Sequence, residues 1–203
     1  MRQLLVIAGL IICATVATGA FLASTGVSNV VGSGQAFAEK TAVSTLRTLH
    51  WAQGNLRRGA FIDTDRDGIA EFGTMEQLAA TAPLPSGQVV PATLVPLAGN
   101  TIEGGILEAH GYCFRYDLPE GADGRERRFV AYAWPRLAAA GNKVFCIDQD
   151  EDILQSGNEA GWIGCEQGPP PGTCPEAEEA DRPGATWVRW KGKRSQLKVG
   201  AID

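Results

Sequence analysis

Between Arg2 and Glu39 the chain carries no charged residue, and from Val144 to Asp181 it has ten acids but no Lys or Arg. Its 203 residues include only two histidines, and neither a CxxC pair nor a GxSxG sequence occurs. Each absence narrows the function. With 18 basic against 23 acidic residues the formal charge is −5, which excludes the basic surface that general nucleic-acid binding requires. Without CxxC, and with His50 and His110 far from the cysteines in sequence, zinc ligation has no framework. Ser44 and Ser156 stand in no nucleophile context, and each lone histidine reads as structural. No catalytic constellation assembles from these residues, so the reading is non-enzymatic.

What the chain does have is an apolar beginning. Leu4 to Ala23 is twenty residues without charge or proline. At about 1.5 Å of rise per residue, a helix of that length matches a hydrocarbon layer of about 30 Å. Thr15 and Thr18 are compatible with it, because threonine hydroxyls bond back to helix carbonyls. The expectation is a retained single-pass anchor in the inner (cytoplasmic) membrane. Arg2 keeps the N-terminus inside, which leaves the C-terminal domain periplasmic or extracellular. A cleaved signal peptide is the competing reading, with small-residue sites at Thr18-Gly19-Ala20 and Ala36-Phe37-Ala38. A buried core helix is a third, though twenty apolar residues exceed the usual length.

The chain then divides into residues 1–35, anchor and small-residue connection, and 36–203, a single domain of ordinary size. Within the segment beginning at Ala36, Ala42, Leu46, Leu49 and Leu56 recur on one helical face, with Glu39, Lys40, Arg47 and Arg57 elsewhere. Arg57-Arg58-Gly59 marks the helix end. Thr74 with Gln77 forms a capping box for a short helix that Pro83 and Pro85 close. Strand patterns follow in GYCFRYDL, RRFVAYAWP, KVFCIDQD, ILQSGN and ATWVRWKGK, with Asp123-Gly124 as a hairpin signal. Residues 157–184 are loop-rich around GPPPG. One long helix plus a meandering antiparallel sheet is an α+β fold. The basic residues from Arg189 to Lys198 are placed beside the acidic block that precedes them.

Cys13 lies in the apolar run, leaving Cys113, Cys146, Cys165 and Cys174 for the domain. An even number in an exported domain reads as disulfides, with three pairings open. Cys113 and Cys146 sit in strand-like runs and are candidates for neighbours across the sheet. Cys165 and Cys174 would then close the loop around GPPPG.

The sharpest local motif is Asp63-x-Asp65-x-Asp67-Gly68-x-x-Glu71. Oxygens at alternate positions, with a glycine for the bend, wrap a hard cation, so these four residues are candidate calcium ligands. It is not an EF-hand, whose twelfth position would be glutamate where this chain has Thr74. The alternative is an aspartate-rich turn bonded to its own amides. Asp148, Asp150, Glu151 and Asp152 form a second acidic cluster, read as a solvated hairpin turn. Trp51 and Trp134 are expected in the core; Trp162, Trp187 and Trp190 are candidates for exposed aromatics that grip an anionic polymer or an acidic partner, against the reading favoured by burial preference, a last strand that packs one tryptophan onto the sheet.

Taken together, the apolar segment, amphipathic helix, variable loop and antiparallel sheet resemble the type IV pilin and type II secretion pseudopilin superfamily. The helix followed by an aspartate-rich turn and Glu71-Phe72-Gly73-Thr74 is similar to the GE(Y/F)GT-type segment of pilin-like proteins. RFVAYAWP and KVFCIDQDEDI look like their paired sheet strands, so the resemblance spans about Ala36 to Asn158. Only Met1 to Gln3 precede the apolar run and no glutamate lies within it, which points to a single anchored subunit rather than a filament former. The resemblance implies a pilin-like subunit acting in envelope or filament assembly, with other pilin-like subunits or envelope assembly proteins as partners and no nucleic acid. A secreted or periplasmic binding module, released by signal cleavage, is the alternative.

Overall fold

The computed structural model describes residues 33–90 and 102–192. Helix α1 occupies residues 33–58. Its inner face is Ala42, Val43, Leu46, Leu49, Ala52, Gln53 and Leu56, all at most 1 % exposed, which is the apolar stripe that its spacing dictates. Thr41, Thr45 and Thr48 satisfy their hydroxyls on the carbonyls of Phe37, Thr41 and Ser44, one turn back. The helix stops in a Schellman motif: Phe61 N–H donates to Leu56 O and Ala60 N–H to Arg57 O. The left-handed residue there is Ala60, at φ 48°, rather than Gly59.

Seven strands follow in a single antiparallel meander: β1 Ile102–Glu103, β2 Ile106–Ala109, β3 Tyr112–Asp117, β4 Val130–Pro135, β5 Val144–Asp148, β6 Ile153–Ser156 and β7 Trp187–Arg189. Three short helices complete the described residues: α2 Met75–Leu78, α3 Ala122–Arg127 and α4 Ala177–Ala180. The expected capping box is present, Thr74 accepting from Gln77 N and Gln77 Oε1 from Thr74 N.

Both faces of the central strands are covered, and every residue of β4 is buried. On one face Tyr112, Phe114, Ala131, Ala133, Phe145 and Ile147 pack in one cluster with the stripe of α1. Tyr116 Oη ties the layers by donating to Leu49 O at 2.9 Å. The other face, Cys113, Tyr132, Trp134, Cys146 and Leu154, lies under residues of the 157–184 segment and β7. Trp134 Nε1 donates to Gly164 O at 2.7 Å and Tyr132 Oη accepts from Cys174 N at 3.0 Å.

Four expectations are corrected. The α+β fold with an N-terminal helix that doubles as membrane anchor does not hold for what is described: one amphipathic helix lies on a seven-stranded sheet. Among the described residues no helix is long and apolar enough to cross a membrane, because Glu39, Lys40, Arg47, Arg57 and Arg58 break the apolar positions of α1 into a stripe. The assignment to the inner membrane as a single-pass protein therefore loses its support. The Leu4–Ala23 segment on which it rested lies outside the described residues.

The suggested disulfide pairing is the second. β4 runs between β3 and β5, placing Cys113 opposite Trp134 and Cys146 opposite Tyr132. Strands two apart are separated by about 9–10 Å, beyond the reach of a disulfide. Each cysteine instead reaches out to the covering segment: Cys113 bonds Cys165 and Cys146 bonds Cys174, with Cα separations of 5.4 and 6.2 Å.

Third, Trp51 is 50 % exposed, because it stands two residues, or about 200°, from Leu49 around the helix. Trp187 is buried against the sheet, as the favoured reading of the last strand has it, and Trp190 sits half-buried beneath the Arg47 guanidinium, 5.1 Å from the ring centre, so the described part of the basic strand offers no exposed aromatic row. Trp134 is in the core as expected. Fourth, Asp123-Gly124 forms no tight hairpin. The β3–β4 connection runs from Leu118 to Phe129, folds into α3 and turns Phe129 back against Phe72 and Tyr116.

Candidate metal site

The loop between α1 and α2 is fixed from both sides. Gln53 of α1 holds Gly73 by two hydrogen bonds, Arg57 Nε donates to Ala70 O at 3.1 Å, and Phe72 N donates to Arg125 O of α3 at 2.9 Å. Glu71 N closes the base of the loop on Ile62 O. Within it the aspartates act as the turn reading requires: Asp65 Oδ1 accepts from Asp67 N, Asp67 Oδ1 from Ile69 N, and Asp63 Oδ2 from Gly68 N. Gly68 sits at φ 89°, where a side chain is disfavoured.

This geometry brings Asp63, Asp65 and Asp67 together, with carboxylate oxygens within 4.8 Å of one another. Glu71 is placed differently. Its side chain is wholly buried, Oε1 accepts from Thr64 N at 2.7 Å and Oε2 lies 3.2 Å from Arg125 Nη2. It is the strut of the loop, hydrogen-bonded through Oε1 and ion-paired with Arg125 through Oε2, which accepts no hydrogen bond.

Asp65 also meets Asp123 and Glu126 of α3, again within 4.8 Å. The sequence does not announce these two residues, because Asp123-Gly124 matches a hairpin turn while the fold makes it a helix. Their spacing of three on a helix, which puts both carboxylates on one face, was the available sign. Burial is the main cause that raises the Glu126 carboxyl above the usual carboxylate range, followed by the charges of Asp67, Asp65 and Asp123, while Arg127 acts in the opposite sense. Glu126, Gly68 and Ile69 also line an open groove shared with His50, Arg57 and Asp150.

The second acidic cluster is a turn: Asp148 Oδ1 accepts from Asp150 N and Asp152 N, with Glu151 at φ 66°. His50 faces Gln149 O at 3.1 Å, and Ser156 Oγ donates to Glu159 Oε2 at 2.8 Å. The acidic block and the final strand do meet, Arg189 bridging Asp152 and Asp181. Comparison with family models, curated proteins and solved structures found no match.

Proposed function

We propose that this chain is a non-enzymatic, pilin-like subunit that works by contact with other pilin-like or envelope assembly proteins in an oxidising compartment outside the cytoplasm. The observation that carries the proposal is the outer face of α1. Its inner stripe is consumed by the sheet, yet Phe37, Ser44 and Trp51, spaced by seven residues, stay exposed, the two aromatics at 70 % and 50 %. Residues seven apart lie on one face of a helix, so the two exposed aromatics point to the same side. A large aromatic left in water on a rigid helix is the kind of anchor that protein interfaces use. Two disulfides that tie the covering segment to the sheet favour an oxidising compartment. Among the described residues the Ser156 hydroxyl faces a carboxylate and the His50 ring a carbonyl, which is in keeping with the non-enzymatic part.

The test is site-specific photo-crosslinking in the cells that make the protein. A benzophenone side chain at position 51 or 37 is expected to give one discrete adduct with a helix-bearing subunit or a second copy. The same probe at Leu137, exposed in the β4–β5 connection, gives none. Equal labelling from all three positions, or none from any, sinks the reading.

A further inference from the structure

Two groups of carboxylates share Asp65. Those of Asp63, Asp65 and Asp67 lie within 4.8 Å of one another, and so do those of Asp65, Asp123 and Glu126. Oxygens that ligate one calcium ion at 2.3–2.6 Å stand no more than about 5 Å apart. A surface cluster of acids would carry no inference alone. Here the deciding residue is Glu126, which is 7 % exposed and whose buried Oε1 has no hydrogen-bond partner. Its near neighbours in this cluster are carboxylates rather than donors. Asp63 Oδ1, on the loop side, is likewise buried without a hydrogen bond. Side chains with a buried carboxylate oxygen that lacks a donor, clustered with other carboxylates, call for a cation.

We propose that a hard divalent cation, calcium by the chemistry of its donors, binds between the 63–69 loop and α3, ligated by Asp65, Asp123 and Glu126, with Asp63 and Asp67 supplying further oxygens. The donor set is all oxygen, with neither histidine nor cysteine, which selects the calcium and magnesium class over zinc or copper. Ligands drawn from an irregular loop and a six-residue helix suit the adaptable shell of calcium better than the strict octahedron of magnesium. The groove beside Gly68 and Glu126 gives the ion its way in. Bound there, the ion fastens the α1–α2 connection to the β3–β4 connection. Glu71 stays outside the shell, engaged by Thr64 and Arg125. The site is independent of how the chain assembles with partners.

The experiment is a calorimetric titration of the full chain, stripped with EDTA, with calcium chloride, followed by thermal melts. One saturable site is expected, and at a hundredfold excess over Kd a Tm rise of about 5–10 °C. Magnesium is expected to bind at least about tenfold more weakly. Glu126→Gln and Asp123→Asn should each weaken calcium by about tenfold or more, since ligand charge sets affinity. Glu71→Gln should lower the Tm of the metal-free protein and weaken calcium by less than the α3 variants do, since Glu71 holds the loop without ligating the ion. No heat and no Tm shift in the unmutated chain overturn the site. Full affinity in both α3 variants, with loss in Asp63→Asn, confines the ion to the loop and overturns the bridge. If Glu126→Gln fails to fold, Asp123→Asn, at an exposed position, decides the question.

Discussion

Gln53 of α1 and Gly73 of the following loop exchange a full pair of hydrogen bonds: Gln53 Nε2 donates to Gly73 O at 2.7 Å, and Gly73 N donates to Gln53 Oε1 at 2.9 Å. Both residues are buried, so the side-chain amide takes the place of the strand partner that the backbone of Gly73 would otherwise need. A Cβ at Gly73 would come within 2.7 Å of Leu56, which is why the position has none. Gln53→Leu keeps the volume and strands two buried backbone groups. The expected loss is about 2–6 kcal/mol, at about 1–3 kcal/mol for each unsatisfied group. Thermal melting of the two proteins checks it, and a variant as stable as the parent would show that water replaces the amide.

Ala60 carries the opposite opportunity. It closes the Schellman motif at φ 48°, a conformation in which Cβ is crowded and glycine is at ease. Ala60→Gly is expected to raise stability by about 0.5–1 kcal/mol, the strain relieved less the added freedom of the unfolded chain. Urea unfolding measures the change. Destabilisation would mean that the exposed methyl makes contacts worth more than the strain.

The disulfides determine how firmly the second face of the sheet is covered. Cys113–Cys165 and Cys146–Cys174 close loops of 52 and 28 residues in sequence separation, and chain-entropy scaling gives about 3–4 kcal/mol for each. Non-reducing peptide mapping should recover those two pairs. Replacing either pair with alanine should expose the 157–184 segment to protease before the rest of the domain. Recovery of Cys113 with Cys146 would refute the strand order itself.

How far the sequence disclosed this arrangement depends on the range of the forces involved. The stripe from Ala42 to Leu56 and the capping box at Thr74 arise within one or two helical turns, and both appear where the spacing places them. Strands β3 to β7 were legible for the same reason, since alternation is local, whereas β1 and β2, two and four residues long beside Gly104-Gly105, carried no such pattern. Cysteine pairing was not, because it turns on β4 lying between β3 and β5, a fact of topology that no local pattern encodes. Trp51 has the size of a core residue, but its helical phase, about 200° from Leu49, turns it to solvent. Asp63, Asp65 and Asp67 announced themselves by spacing, whereas Glu126 joins them from 59 positions beyond Asp67 only once α3 docks. Glu71 matched the motif, but the fold supplied it with Arg125 instead.

The last expectation concerns pH. Asp148 sits partly buried at the end of β5, where desolvation raises its carboxyl above the usual aspartate value. The amides of Asp152 and Asp150 pull the other way, and the charges of those two residues add to the rise. A carboxyl raised in the folded state holds its proton more tightly there than in the unfolded chain. Its favourable contribution is therefore complete below the unfolded value and disappears as pH climbs through the folded one. At neutral pH the ionised Asp148 is thus a net burden on the fold. Asp148→Asn retains an oxygen for the N–H groups of Asp150 and Asp152 while it removes the charge. The variant should melt above the parent at pH 7, and the gap should close as the pH falls below the ordinary aspartate value of about 3.9. Paired melting curves between pH 3 and pH 8 measure it. A variant that melts lower at pH 7 would show that the two amide bonds depend on the full negative charge, reversing the sign argued for the site.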